Sequence, residues 1–276
     1  MPFANSDGVK IYYESHADGP GDASPDGPCI VFVHGSGGNH AAWWQQTAYF
    51  RRFCRVVTVD LRGFGNSDAV ADGPDMLDFP NDIKAVLDAA NIRAATLVGQ
   101  SIGASAALRT AIADPTRIKA VVLAHSLGGL AHPELTPMVR ADRANAEKLP
   151  VLDRLLTRQF RDNEPARTFL FQQLGTFNKA KMQDLRNLSA DGPTLDQIRR
   201  SGVQICFLAG ELDAVLSIET VQRAHAVVEG SALSIVPGAP HSMYWEAPKL
   251  FNKALHELLQ KIYPEHIGRL KAVSEA

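Results

Sequence analysis

The run Gly99-Gln100-Ser101-Ile102-Gly103 constrains this chain more than any other five residues. It stands between Ala95-Thr96-Leu97-Val98, an apolar run that reads as a buried strand, and an alanine-rich stretch from Ile102 to Ala113 that reads as a helix ended by Asp114-Pro115. Converting a strand into a helix so abruptly needs a tight, strained turn, and side chains beside that turn would strike the neighbouring strand and helix. Glycine at 99 and 103 removes the collision, and the residue at the apex projects its side chain above the sheet edge. Ser101 is therefore the candidate nucleophile.

The same alternation runs along most of the chain. Val9 to Glu14 after the Asp7-Gly8 turn signal, Cys29 to Val33, Val56 to Val59, Ala120 to Ala124, Val203 to Ala209 and Leu233 to Val236 read as strands. A loop rich in Gly, Pro and Asp spans 17–28. Helical spacing appears at Phe79, Ile83, Val86, Leu87 and Ala90, around Ser217 to Glu229, and from Pro248 to about Gln260. Strands separated by helices predict an α/β fold with a mostly parallel sheet covered on both faces. Residues 130–197 break the rule: no strand, several helical patterns, among them Val151, Leu152, Leu155, Leu156 and Phe160. The predicted organisation is a core of 1–129 and 198–276 with a helical insertion of 130–197.

A serine hydroxyl needs a base and a group that orients the base. In a parallel sheet the carboxyl ends of the strands share one edge, and two later strands end in suitable groups: one in Gly210-Glu211-Leu212-Asp213, the other in Pro237-Gly238-Ala239-Pro240-His241. Ser101, Asp213 and His241 are the predicted catalytic group, with Glu211 a second candidate for the carboxylate. His125, without a carboxylate at a comparable later strand end, reads as pocket-lining or as a hydrogen-bonded structural residue. His225 reads as surface. In His34-Gly35-Ser36-Gly37-Gly38, small residues let backbone N–H groups approach a substrate oxygen, so the N–H groups of Ser36 and Ile102 form the expected oxyanion hole. A phosphate loop is disfavoured because no Lys-Ser/Thr follows and the third glycine of a dinucleotide loop is replaced by His40.

Composition removes other classes. The chain carries 28 Lys and Arg against 30 Asp and Glu, a net charge of −2 that offers a nucleic acid no positive field. Three cysteines, Cys29, Cys54 and Cys206, lie in or beside apolar runs, which suits a reducing compartment, and the start of the chain has no signal-peptide pattern. The expectation is a cytoplasmic protein with no membrane partner, monomeric or homodimeric. The nine histidines show no helix-spaced ligand pair, so neither a metal nor an organic cofactor is expected.

With Asp60-Leu61-Arg62-Gly63-Phe64-Gly65-Asn66-Ser67-Asp68 and Pro240-His241-Ser242 added to these motifs, the sequence resembles the α/β-hydrolase superfamily from residue 9 to about 260. The resemblance implies an eight-stranded sheet with a helical cap after the sixth strand, here residues 130–197. Its members with an aspartate nucleophile, the epoxide hydrolases and haloalkane dehalogenases, are disfavoured by Ser101. Carbon–carbon hydrolases of ring-fission products usually carry Trp directly after the catalytic histidine, whereas Ser242 stands here and Trp245 comes three residues later. A carboxylesterase-like enzyme acting on small to medium, largely apolar esters is expected, with a carbon–carbon hydrolase of ring-fission products, a lactonase, a perhydrolase and a ligand-binding receptor as alternatives. Gly35, Trp44, Phe64, Ser126, Leu127 and Tyr244 are the expected pocket residues, with Phe160, Phe169, Phe171 and Phe177 of the insertion closing over them.

Overall fold

The computed structural model describes residues 2–18, 27–188 and 192–267. Most of the loop expected at 17–28 lies outside these residues. Eight strands, β1 (Phe3–Ser6), β2 (Val9–His16), β3 (Cys29–Val33), β4 (Arg55–Val59), β5 (Ala95–Gln100), β6 (Ile118–Ala124), β7 (Gln204–Gly210) and β8 (Ala232–Val236), form one sheet in the order β1-β2-β4-β3-β5-β6-β7-β8. From β4 to β8 every pairing is parallel; β2 is antiparallel to both β4 and β1. Strand β1 has no separate sequence signal. It is a four-residue edge strand paired through the Asp7-Gly8 turn, where both residues have positive φ and the Gly8 N–H donates to Asn5 Oδ1.

Alternation along the central strands divides the core in two. Val31 and Val33 of β3, Val121 and Leu123 of β6, and Ile205 and Phe207 of β7 face one layer, while Ile30 and Phe32, Val122 and Ala124, and Cys206 and Leu208 face the other. The chain then supplies helices to both sides: α1 (Trp44–Phe50), α2 (Phe79–Ala89) and α3 (Ile102–Ala113) come first, and α2 and α3 pack with the first layer. Between β6 and β7 stand α4 (Leu135–Ala146), α5 (Val151–Leu155), α6 (Arg158–Asn163), α7 (Pro165–Leu174) and α8 (Leu195–Ser201). After β7 come α9 (Ile218–Val227), α10 (Met243–Glu246), α11 (Pro248–Ile262) and α12 (Pro264–Ile267), of which α10 and α11 join α1 on the second layer.

The helical pattern from Val151 to Phe160 divides into two helices. Leu156 is extended at φ −129° and Thr157 caps α6, its hydroxyl accepting the Phe160 N–H. That hydroxyl also donates to Glu246 Oε1 at 2.6 Å, and the Thr157 N–H donates to Oε2 at 2.8 Å. A side chain that bonds the backbone ahead of it and a partner outside the helix ends the preceding helix, whatever the apolar spacing predicts. Similar bonds fasten this segment elsewhere. Asp142 of α4 accepts from Ser217 and Thr220 at the start of α9, Ser242 N–H donates to Leu155 O, and Arg167 Nη2 donates to Trp245 O.

The turn at Ser101 is built as its neighbours require. A Cβ on Gly99 would lie 2.3 Å from Gly103 O, and one on Gly103 would lie 2.3 Å from Val33 O. Both obstacles are backbone, which cannot rotate away. Gly103→Ala is expected to cost at least about 2 kcal/mol of stability, read as a lower urea midpoint at unchanged slope; a wild-type midpoint would contradict this account of the turn.

Candidate active site

Adjacent strands deliver the site. β5, β6, β7 and β8 are neighbours in that order, and just past their carboxyl ends stand Ser101, His125, Asp213 and His241 respectively. Ser101 has φ 54° and ψ −116°, a sparsely populated conformation for a residue with a Cβ, and its N–H is held by Ala124 O of the adjacent strand at 3.1 Å. It is partly buried at the strand-to-helix junction.

Asp213 is held in a chain turn after β7. Its Oδ1 accepts the N–H groups of Val215 at 2.8 Å and Leu216 at 3.0 Å. His241 Nδ1 lies 2.9 Å from both carboxylate oxygens, and His125 Nδ1 lies 3.0 Å from Oδ2. The Asp213 side chain is 1% exposed and those of His125 and His241 are 0% and 3%. Burial alone would raise the Asp213 carboxyl, but the imidazoles of His241 and His125, both hydrogen-bonded to it, overcome that and hold the group well below the usual carboxylate range. Glu211 takes no part: its carboxylate accepts the Gly238 N–H at the exposed surface. His225 bonds Ser231 Oγ from α9.

Since a carboxylate only accepts, His241 presents Nδ1–H to Asp213, and its Nε2 makes no hydrogen bond among the described residues. A Ser101–His241 hydrogen bond is not among those formed by the described residues; a nucleophile–base bond commonly tightens only when substrate is present. The donor atoms of His125, Asp213 and His241 lie within 4.8 Å of one another, a spacing compatible with a metal ion. Both imidazoles instead direct protonated nitrogens at the carboxylate, so the set as it stands is a hydrogen-bonded cluster and not a ready ligand sphere.

Beside Ser101 lies the loop after β3. A Cβ on Gly35 would stand 3.3 Å from Ser101 Cβ and 2.1 Å from Gln100 Oε1, so a larger residue would have to displace the Gln100 side chain and crowd Ser101. The loop closes through Gly38 N–H to Gly35 O at 3.0 Å, and the N–H groups of Ser36 and of Ile102, the first residue of α3, have no backbone acceptor among the described residues. His34 is a brace: Nδ1 donates to Gly35 O at 2.7 Å and Nε2 accepts the Leu61 N–H at 3.1 Å. Asn178 crosses above, donating to Gly38 O and accepting from Gly65 N–H, while Asn39 donates to Leu174 O.

The expected pocket residues separate. Gly35 borders Ser101, and Ser126, partly buried, and Leu127, buried, follow His125 at the same edge. Phe64 does not line a pocket: it is 0% exposed and packs against the His34 ring at 5.1 Å. Tyr244 is likewise taken up by the core, between Trp43 and Phe251, because α10 turns it under the edge. Trp44 is 53% exposed and meets Trp245 edge-on, and Trp245 in turn meets Phe171 of α7. In the inserted segment Phe160 is buried, whereas Phe169 and Phe177 are exposed. The share of His125 in Asp213 went unread in the sequence, because a search for one carboxylate per histidine passes over a shared one. Its position one residue past the strand next to Ser101 was the available signal.

Residues 30–254 match the alpha/beta hydrolase family. The chain belongs to that family. It is 26% identical over 243 residues to 3-oxoadipate enol-lactonase 2 of Acinetobacter baylyi, covering 86% of this chain and 90% of the relative. It is 27% identical to a bifunctional esterase/perhydrolase of Acinetobacter calcoaceticus, over 90% of this chain and 95% of the relative. Among solved structures, a thermophilic esterase from Thermogutta terrifontis superposes with a TM-score of 0.76 at 19% identity, over 95% of this chain and 98% of that one. Among the described residues no helix is long and apolar enough to cross a membrane.

Burial holds His34 and His125 below the ordinary imidazole value in spite of the neighbouring Asp60 and Asp213. Each is neutral when folded and takes up a proton more readily when unfolded, so stability is present above about pH 6.5 and falls as pH drops through and below it. His40 has the opposite sign. Burial lowers it, but Asp60 and Glu14 raise it further, so it binds its proton more readily when folded and adds stability on the acid side. Urea unfolding at pH 7.5, 6.5 and 5.5 should show a decline that steepens in His40→Gln; a flat wild-type profile would contradict the neutral assignments.

Proposed function

We propose that this chain is a serine hydrolase that cleaves carboxylic esters, cyclic esters included, by acyl transfer. One observation carries the reading: a partly buried serine on a strained turn shares the edge of four adjacent strands with a buried imidazole whose near nitrogen is bonded to a buried carboxylate and whose distal nitrogen has no hydrogen-bond partner among the described residues. The names of the relatives, an enol-lactonase and an esterase/perhydrolase, support ester and lactone bonds as the target. Three buried thiols and the absence of a membrane-spanning helix among the described residues agree with action on dissolved substrates in a reducing cytoplasm.

In this mechanism His241 Nε2 takes the Ser101 proton as Oγ attacks the ester carbonyl carbon. The carbonyl π electrons move to oxygen, and the resulting oxyanion accepts from the Ser36 and Ile102 N–H groups. Asp213, ionised at every working pH, holds the ring and stabilises the imidazolium. Collapse of the tetrahedral intermediate breaks the bond to the leaving alcohol, which takes the proton from His241. Water then repeats the sequence on the acyl-enzyme, with His241 accepting its proton, and releases the acid and Ser101. Residues 130–197 would act as a cap, with apolar residues such as Phe169 and Phe177 favouring small to medium, largely apolar acyl or alcohol groups.

Turnover of p-nitrophenyl acyl esters and of γ- and δ-lactones should fall at least about a thousandfold in Ser101→Ala and His241→Ala. A fluorophosphonate should add one phosphonyl group to the peptide holding Ser101 and none in Ser101→Ala. Full turnover by Ser101→Ala would overturn the proposal, and a ring-fission dienol assayed in parallel would reveal carbon–carbon cleavage in its place.

A further inference from the structure

Strand order places His125 between the candidate nucleophile and the candidate carboxylate, and acyl transfer as described leaves it without a task. Its ring meets that of His241 edge to face, with centroids 5.5 Å apart. Its Nδ1 must carry a proton, since the partner at 3.0 Å is a carboxylate oxygen. Burial outweighs the pull of Asp213 and keeps the ring neutral. Nε2 is then a bare acceptor, fully buried, with no partner among the described residues. The backbone of His125 has φ 55°, in the left-handed region, and its N–H is fixed to Leu208 O at 2.8 Å. Filling space explains neither the strained backbone nor the unpaired nitrogen, because an apolar residue of similar size would avoid the second. The polar contact the ring does make is the bond to Asp213.

We propose that His125 is a positioning residue for acyl transfer: a second imidazole N–H that fixes the rotation of the Asp213 carboxylate and shares its negative charge with His241. The inference rests on the acyl-transfer reading above. Oδ1 is anchored by the N–H groups of Val215 and Leu216, whereas Oδ2 has His125 as its one donor besides His241. Removing His125 leaves that oxygen with His241 as its one remaining donor, which loosens the rotation of the carboxylate and concentrates its charge on His241, so the base is oriented less well and its protonated form is favoured. Among the described residues, the charged or titratable groups acting on Asp213 are His125 and His241 alone.

His125→Asn places an amide nitrogen where Nδ1 stands and keeps the donor; His125→Leu keeps bulk and removes it. In His125→Leu, kcat should fall about tenfold or more with KM within about twofold, and the acid limb of the kcat/KM profile should move to higher pH. His125→Asn should restore both. Two downfield imidazole N–H resonances are expected in the Ser101→Ala protein, one of them absent when His125→Asn is added, a readout that needs no turnover and no folded leucine variant. Wild-type kcat and pH profile in His125→Leu, equal defects in the two variants with only the melting temperature changed, or a single downfield resonance would each overturn the inference. Turnover surviving in Ser101→Ala would instead defeat the acyl-transfer reading, so the two failures are distinct.

Discussion

A single negative charge buried at the carboxyl edge of the sheet sets the terms for everything around it. An ionised carboxylate with 1% of its side chain exposed has lost its water, and the protein must replace that water with fixed donors. Asp213 receives two backbone N–H groups from its own turn and two imidazole N–H groups from the ends of β6 and β8. Those bonds dictate how β7 must end, which rotamers His125 and His241 adopt, and which ring nitrogen of His241 is left facing outward. The candidate base is thus oriented by the same bonds that make the buried charge tolerable.

Position along the edge follows from the sheet. Because β5 through β8 are parallel neighbours, residues far apart in sequence emerge side by side without any long-range loop to hold them, and the register Gln100 to Ala124 puts Ser101 beside His125. The glycines at 35, 99 and 103 have a complementary part, removing side chains where backbone must pass within contact distance. Strain at Ser101 and His125 falls at the strand ends, where the ladder on one side and the following helix or turn on the other over-determine the backbone.

Much of this was legible in the sequence, for reasons tied to particular residues. The buried strands announced themselves as short apolar runs, and the helices as 3.6-residue periodicity, so that Ile102–Ala113 agrees at both ends and Pro248–Ile262 within two residues. Ser101, Asp213 and His241 each follow a strand in the sequence; topology brings all three to one edge of the sheet and puts His241 in contact with Asp213. What escaped was set by tertiary contacts: the edge strand β1, too short to show a period; the break at Thr157, made by Glu246 far along the chain; and the burial of Phe64 and Tyr244, where a loop and a short helix turn the rings inward. An aromatic near a strand end can face either side of the edge, and only packing decides which.

The helical segment between β6 and β7 is tied to the rest of the molecule mainly through side chains. Thr157 bonds Glu246, Arg167 bonds a carbonyl of Trp245, Asp142 bonds Ser217 and Thr220, Asn178 bridges Gly38 and Gly65, and Lys179 bonds a carbonyl of Ser67. The exposed rings of Phe169 and Phe177 take no part in these bonds. The segment therefore has the character of a cassette whose outward apolar side chains can be rewritten while the polar anchors preserve its seat on the sheet.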